Sequence, residues 1–378
     1  MRKPENPFLT SGYLSPAYFC DRKKETSQLL NSIVNGQNVT LTSIRRIGKT
    51  GLIKHLFYQL PGNWKGIYVD ILSTENLSQF LNSFTTAVLN AVPEKESIGK
   101  KIWTFVKLMR PVISFDPLTN LPMATFELRQ NDTEMHINSI MQFLEGQNFN
   151  VVIAIDEFQQ IVNYPEKNTD AWFRTIIQRM NNVSFIFSGS QPHILNDLFN
   201  LPSRPFYRST TMQHIDKINQ IEYRDFISHW FKKSGKSISG EIINDLLEWS
   251  CLHTYYVQLI CNRVFSTGQQ QITDEIWKAE AHKLLVEQEP IFFNYRNMLT
   301  QPQWQLLKAV AHEGIITAPT SKDFISKYKL GSPSTVLRSL NSLINSELLY
   351  SSFDENGIIF YSIYDILLHR WTELSPLR

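Results

Sequence analysis

The chain has 378 residues, of which 42% are hydrophobic and 12% aromatic, and its formal net charge is +2. This length exceeds one ordinary hydrophobic core and predicts two or three domains, while the composition excludes a disordered chain. The near-neutral charge gives no sign of a protein built to coat nucleic acid. Apolar runs long enough to cross a bilayer are absent from the sequence, and the polar N-terminus with its two prolines is unlike a signal peptide.

The cysteines Cys20, Cys251 and Cys261 form neither a metal-type pair nor an even disulfide set. Cys251 and Cys261 fall in one helical region, where we expect them to be small core residues. Reduced thiols suit the cytoplasm. We therefore expect a soluble cytoplasmic protein without a membrane partner.

Strand and helix patterns alternate over the first 218 residues. Asp21 is a fair N-cap for the first helix, and Gly36 is placed to end it. The alternation favours right-handed crossovers and a parallel sheet, which is the α/β class. The predicted strands are 38–43, 66–71, 150–158, 183–190 and 210–218, and the predicted helices are 21–36, 48–60, 77–92, one ending at Leu144, and 171–180.

Residues 93–130 break this alternation with a basic helix and a hairpin that turns at Asp116–Asn120. We interpret this segment as an insertion on the edge of the sheet. After residue 218 the strand pattern disappears, and 219–298 reads as a helical domain. Residues 299–378 follow the order helix, helix, helix, hairpin, which is typical of a winged helix-turn-helix. The predicted domains are therefore 1–218, 219–298 and 299–378.

A phosphate-binding loop is predicted where a β-branched strand ends and an amphipathic helix begins, at "SIRRIGKT". Ser43 stands in place of the first glycine of the usual pattern. Gly48 keeps the backbone bare where amide groups turn toward phosphates, Lys49 would reach the β- and γ-phosphates, and the Thr50 hydroxyl would hold Mg²⁺. The candidate nucleotide-binding residues are Ser43, Arg45, Arg46, Ile47, Gly48, Lys49, Thr50 and Gly51.

An acidic pair follows the buried strand "VVIAID" roughly a hundred residues later. Asp156 is placed to organise Mg²⁺ together with Thr50, and Glu157 to polarise the attacking water as a general base. Either motif alone occurs by chance, but the two in this order predict an ATP site. Ser188 and Ser190 end a later strand, where they sense the γ-phosphate or simply form a strand-to-helix turn.

These motifs resemble the STAND-class P-loop ATPases often called archaeal-type ATPases, a branch close to AAA+ proteins. The resemblance covers nearly the whole chain: "YFCDRKKETSQL", "SIRRIGKT", "VVIAIDEFQQI", "FIFSGS", "RPFYRS", "HTYYVQLICNRVF" and "YSIYDILLHRW" come in family order. It implies a P-loop NTPase core, a helical lid and a winged domain, with ATP and Mg²⁺ as cofactors and ATP hydrolysis as the reaction. It also implies that the segment near Tyr18–Arg22 lies against the base and that an arginine, Arg208 or otherwise Arg204, approaches the phosphates.

Some residues depart from the family pattern or keep two interpretations. Ser43 would weaken nucleotide binding slightly. The common Gly-x-Pro of the lid is replaced at Leu252–Thr254, so that His253 or Tyr255 either contacts adenine or packs within the lid. Arg45 and Arg46 are either inert loop residues or add charge-assisted hydrogen bonds, each worth roughly 1.5–3 kcal/mol.

The sequence is compatible with several functions. The first is an ATP-driven switch that closes core against lid and moves the winged domain. The second is an ATP-regulated DNA-binding protein, although the recognition helix offers only Arg338, Asn341 and Asn345, with Lys322, Lys327 and Lys329 nearby. A third is a scaffold that binds ATP and barely hydrolyses it; Glu157 argues against this, whereas Ser43 leaves it open. Since neither a repeat array nor a sensor domain follows the winged module, we expect the trigger to be an unidentified protein partner or nucleic acid.

Overall fold

A computed structural model describes residues 4–127, 130–353 and 356–374. The chain forms two compact units: one is Ser11–Lys217, and the other runs from Ile218 onward and includes the N-terminal segment up to Thr10. The three-domain division from the sequence stays a prediction.

The α/β unit contains a five-stranded parallel sheet in the order β2-β5-β6-β1-β7. Residues of the central strands β5 and β6 are almost all buried, which explains their continuous apolar sequence. Parallel pairing brings the carboxyl ends of β1, β5 and β6 to one edge. The strands of this unit are β1 (Val39–Thr42), β2 (Trp64–Asp70), β3 (Val112–Phe115), β4 (Pro122–Thr125), β5 (Asn150–Asp156), β6 (Val183–Gly189) and β7 (Thr211–His214).

Helices cover both faces of this sheet and bury two separate apolar clusters. The helices are α1 (Lys23–Val34), α2 (Lys49–Gln59), α3 (Leu77–Ala91), α4 (Ser97–Leu108), α5 (Gln130–Glu145), α6 (Thr169–Ile177) and α7 (Pro192–Asn200), with 3-10 helices at Pro16–Tyr18 and Phe158–Asn163. The predicted cap at Asp21 is wrong: Arg22, at φ 65°, occupies the N-cap of α1. The Arg22 guanidinium donates to the carbonyl of Ile47, in the loop before α2. Gly36 follows the end of α1 at φ 71°, as expected.

The inserted hairpin β3–β4 forms a sheet of its own and does not extend the edge of the main sheet. It packs on α3, whose side chains accept hydrogen bonds from one amide of β4 and from the amide of the residue that follows the strand. The Ala124 amide donates to Thr86 Oγ1 at 3.0 Å, and the Phe126 amide donates to Asn82 Oδ1 at 2.9 Å. The prediction of an edge insertion is therefore corrected.

The helical unit shows the predicted order of elements: its last part is a helix–helix–helix–hairpin arrangement followed by a closing helix. Asp354 and Glu355, part of the predicted hairpin turn, lie outside the described residues. In the described ranges no helix is both long and apolar enough to span a bilayer. The elements are α8 (Gln220–Lys233), α9 (Gly240–Trp249), α10 (Thr254–Ser266), α11 (Asp274–Met298), α12 (Gln301–Glu313), α13 (Lys322–Tyr328), α14 (Pro333–Asn345), β8 (Leu349–Phe353), β9 (Ile359–Ile363) and α15 (Ile366–Glu373).

The N-terminal segment packs into this helical unit. The Phe8 side chain is 1% exposed, and its ring lies 5.5 Å from that of Phe231 and 5.8 Å from that of Phe265. Asn262 Nδ2 donates to the Phe8 carbonyl at 2.7 Å. The sequence analysis placed residues 4–10 with the nucleotide core, whereas the structure groups them with the helical unit.

Candidate nucleotide site

The loop between β1 and α2 has the backbone geometry of an anion cradle. Gly48 has φ 102°, which side-chain-bearing residues rarely adopt, and Lys49 begins the helix directly after it. Ile47 is 1% exposed and anchors the loop in the apolar cluster under the sheet. Arg22 Nη2 donates to the Ile47 carbonyl at 3.3 Å, which ties the start of α1 to the loop. The amides at the start of α2 therefore face a position where phosphate oxygens can bind.

Lys49 is a buried cation. Its side chain is 7% exposed, and Nζ donates to Ser43 Oγ at 3.0 Å and to the Ile44 carbonyl at 3.5 Å. No carboxylate of the described residues forms an ion pair with it. Burial lowers the pKa of Lys49; the charges of Asp156 and Glu157 act in the opposite direction. A buried ammonium without a paired anion costs stability, so this position favours an anionic ligand.

Ser43, the departure from the usual first glycine, has a direct role in this geometry. It is fully buried, and its hydroxyl donates to the Ile44 carbonyl at 2.8 Å while it accepts from Lys49 Nζ. Glycine could not supply this oxygen. The serine therefore orients Lys49, and its effect on nucleotide affinity is a prediction that a Ser43→Gly variant can measure.

Asp156 ends β5 as a hydrogen-bond acceptor for side chains on three other elements. Oδ2 accepts from the Thr50 hydroxyl at 2.8 Å and from the Tyr68 hydroxyl at 2.7 Å. Oδ1 accepts from the Ser188 hydroxyl and from the Glu157 amide, the latter at 3.1 Å. These bonds hold the carboxyl group in one orientation. Burial and the neighbouring Asp156 charge raise the pKa of Tyr68, so its hydroxyl stays a donor.

Glu157 has φ 58°, and two residues donate hydrogen bonds to its carboxylate. Its Oε2 accepts from Ser190 Oγ at 2.8 Å and from Gln159 Nε2 at 2.5 Å. The Gln159 side chain lies against Gly189, where an added Cβ would come 1.9 Å from Oε1 of Gln159. The glycine thus makes room for the amide that positions the candidate base.

The chemistry of the donor set fits Mg²⁺ and a triphosphate. Mg²⁺ binds hard oxygen ligands, and the Thr50 hydroxyl and the Asp156 carboxylate lie in contact beside Lys49. The buried ammonium and the bare loop at Gly48 fit phosphate oxygens. Thr50 and Asp156 are therefore the residues that would hold the metal.

The predicted arginine is not part of this group. Arg208 lies three residues before β7, whose first residue, Thr211, pairs with Val39 at the amino end of β1. Lys49 follows the carboxyl end of β1. Within this chain, Arg208 and Lys49 therefore lie at opposite ends of the parallel strands. This placement does not favour an approach of Arg208 to the phosphates, which stays a prediction. Arg204 lies 3.8 Å from Asp170.

The two loop arginines differ in their surroundings. Arg46 is exposed and has φ 58°. Arg45 is half-buried and acts electrostatically on Lys49, whose pKa it helps to lower. A second positive charge close to Lys49 further favours the binding of an anion at this position.

Aromatic side chains from the segment that precedes α1 pack against α2. The Phe19 ring stacks on His55 with centroids 4.3 Å apart, and the Tyr13 hydroxyl lies 3.0 Å from His55 Nδ1. An added Cβ at Gly51 would lie 3.3 Å from Phe19, so the small residue permits this stacking. In the helical unit, His253 is buried at the start of α10 with its ring 4.9 Å from Tyr256, which favours the packing interpretation for that residue.

Sequence reasoning missed Tyr68, Gln159 and the buried role of Arg22. For Tyr68 a signal existed: β2 was recognised as a strand, and residues 68 and 70 share one face of it. Asp70 lies beside Asp156 in the sheet. The side chain of residue 68, two positions earlier on the same face of β2, can therefore reach the Asp156 carboxylate. No comparable signal marked Gln159 or Arg22.

Comparisons with known proteins bear on the fold and on the family. No curated protein matches the sequence. The fold resembles a Walker-type ATPase of Pyrococcus abyssi (TM-score 0.67, 16% identity, 97% of this chain and 100% of that one). It also resembles the Aeropyrum pernix ORC2 protein in complexes with ADPNP and ADP (0.60, 14%, 98% and 96%) and the ORC1 protein of that organism in complex with DNA (0.51, 11%, 99% and 97%).

The family matches cover most of the chain. Residues 290–374 match a probable winged helix domain, and residues 19–259 match an ATPase domain found predominantly in Archaea. Together with the parallel sheet, the structural relatives confirm the predicted fold class. The chain belongs to the family of ATPases defined by that predominantly archaeal domain.

Proposed function

We propose that this ATPase is a Mg²⁺-dependent molecular switch of the STAND/AAA+ type, in which ATP closes the nucleotide core against the helical lid and hydrolysis repositions the winged domain. The observation that carries the nucleotide part is the buried ammonium of Lys49 beside the Thr50–Asp156 contact, since no carboxylate of the described residues forms an ion pair with it. The switch part rests on the order of core, lid helices and winged domain along the chain.

Each residue then has a distinct role. Lys49 binds the β- and γ-phosphate oxygens, and the backbone amides after Gly48 donate hydrogen bonds to the other phosphate oxygens. Thr50 and Asp156 hold the metal, which when bound neutralises charge on the phosphate oxygens. Glu157 accepts a proton from the attacking water, and Ser190 positions Glu157 through its hydrogen bond. Tyr68 and Ser188 keep Asp156 oriented.

The metal role of Thr50 gives a test by substitution. Thr50→Ala removes a hydroxyl ligand, so we expect the Mg²⁺ concentration for half-maximal turnover to rise about tenfold or more, which corresponds to about 1.4 kcal/mol. Thr50→Ser keeps the hydroxyl and serves as the matched control. Nucleotide binding in EDTA should change little in either variant. An unchanged Mg²⁺ requirement in Thr50→Ala would contradict the assignment.

DNA binding is the second candidate function, favoured by the exposed face of α14. Arg338, Asn341 and Asn345 lie on this helix, and Arg338 is exposed at the position where a winged helix presents its recognition helix. The Aeropyrum pernix ORC1 relative is seen with DNA. If this chain binds DNA as well, the helix supplies one base-reading guanidinium and two amides.

Duplex DNA titrations test this candidate. We expect Arg338→Ala to weaken DNA binding by roughly tenfold, since one lost contact is worth about 1–3 kcal/mol. Arg224→Ala, an exposed arginine on α8, is the matched control and should leave binding unchanged. If wild type binds no duplex at low salt, or if both variants lose affinity equally, α14 is not a recognition helix.

A further inference from the structure

Cys251 lies in the turn between α9 and α10, and it is not the small core residue that the sequence predicted. Its φ is 51° and that of Leu252 is 56°, so two consecutive residues with side chains adopt the left-handed conformation. This turn leaves the thiol half-buried and within reach of α15. The two other cysteines, Cys20 and Cys261, are 6% and 0% exposed.

A fixed guanidinium binds the sulfur. Arg370 Nη2 lies 3.4 Å from Cys251 Sγ and donates to the Glu248 carbonyl at 2.9 Å, while Nε donates to the Trp249 carbonyl at 2.9 Å. Nη1 forms an ion pair with Glu373 at 2.9 Å. These contacts leave the arginine little freedom, so its charge stays beside the sulfur.

A buried imidazole approaches from the same helix. His369 is 5% exposed, its Nε2 lies 2.8 Å from the Ala311 carbonyl, and its buried Nδ1 has no hydrogen-bond partner among the described nitrogen and oxygen atoms. Burial alone would lower the pKa of His369, but interactions with Cys251 and Glu373 outweigh it and raise the pKa to about 9. The imidazole is thus cationic near neutral pH, with Cys251 as one of its partners.

The charges around the sulfur therefore favour an anion. From α15 it meets two cations, Arg370 and His369, and one carboxylate, Glu373, which pairs with both of them. The end of α9 and the facing helix α12 contribute backbone carbonyls that bind these cations. A cysteine beside arginine and protonated histidine has the environment that stabilises a thiolate.

We propose that Cys251, flanked by Arg370 and His369, is a reactive thiolate site that peroxides oxidise to sulfenic acid. The sulfur attacks one peroxide oxygen, so that an S–O bond forms and the O–O bond breaks. Two electrons pass from sulfur to the peroxide, and the leaving hydroxide takes a proton to become water. Because the oxidised sulfur can be neutral, oxidation weakens the ionic contact between the α9–α10 turn and α15. This inference is independent of the nucleotide site.

Alkylation of the intact chain tests the thiolate. Iodoacetamide is added across pH 5–10, and each cysteine peptide is quantified by mass spectrometry. We expect the midpoint for Cys251 to lie at least about one unit below the free-cysteine value of about 8.5. At pH 7 Cys251 should react at least about tenfold faster than Cys20 and Cys261. A midpoint at or above 8.5 in wild type, or equal rates, would overturn the proposal.

Substitutions on α15 separate the electrostatic cause from simple exposure. His369→Asn and Arg370→Gln should each raise the midpoint toward 8.5, because each removes a positive charge beside the sulfur. Because His369 is buried, folding of each variant is checked by circular dichroism, and Arg370→Gln remains informative if His369→Asn does not fold. An unchanged midpoint in the folded variants would contradict the assigned charges.

The oxidation step has its own readout. After treatment with hydrogen peroxide, a dimedone adduct is expected on Cys251 and should disappear in Cys251→Ser. If the adduct forms equally on Cys20 or Cys261, or on no cysteine, the peroxide chemistry is wrong.

Discussion

Replacing Lys49 by methionine is expected to lower ATP affinity by roughly 100-fold and to abolish measurable turnover. The reason is the loss of charge-assisted hydrogen bonds to the phosphates, each worth about 1.5–3 kcal/mol. Methionine keeps most of the side-chain volume in a position that is 7% exposed, so the fold should survive. Affinity is measured with a fluorescent ATP analogue, and turnover by phosphate release.

The same substitution has a second expected consequence, of opposite sign. Because Lys49 is a buried cation without a carboxylate ion pair in the described residues, its removal should raise the thermal midpoint of the ligand-free protein. The stabilisation that ATP normally adds should vanish. Lys24→Ala, on an exposed position of α1, is the control and should alter neither quantity. Wild-type affinity in Lys49→Met would remove Lys49 from the site.

Glu157→Gln is expected to bind ATP like wild type and to hydrolyse it about 10²-fold or more slowly. A general base contributes typically 10²–10⁴-fold, and glutamine keeps the shape without a basic carboxylate. Its side-chain oxygen can still accept from Ser190, which preserves the local geometry. Asp70→Asn is the control: this carboxylate ends the neighbouring strand, pairs in register with Asp156, and is expected to affect turnover much less.

The slow variant also isolates the switch from the chemistry. In Glu157→Gln, ATP persists long enough to compare hydrogen exchange in the ATP and ADP states. A switch predicts different protection in the lid helix α10 and in α15. Equal protection together with normal ATP binding would leave the ATPase assignment intact and reject the switch.

Short stretches of the sequence were enough to predict much of the candidate site. The loop ending in Gly48–Thr50 and the acids after β5 each depend on residues that are adjacent in the chain, where strand, turn and helix propensities act together. The continuous apolar runs of β5 and β6 predicted buried parallel strands for the same local reason. The winged order at the C-terminal end was likewise a succession of local signals.

The partners of these residues depended on the tertiary structure. Tyr68 meets Asp156, and Ser190 meets Glu157, only because β2, β5 and β6 lie side by side in one register. The same pairing moves Arg208 to the opposite end of the parallel strands from Lys49, although both belong to family motifs.

The sequence by itself thus determined which short motifs exist and in what order, because backbone preference and side-chain periodicity act over a few residues. Only the tertiary structure decided which of them meet: α3 receives the inserted hairpin, and α15 brings the Arg370 guanidinium to Cys251. Contacts between residues tens to more than a hundred positions apart depend on strand order and helix packing, which no local pattern specifies.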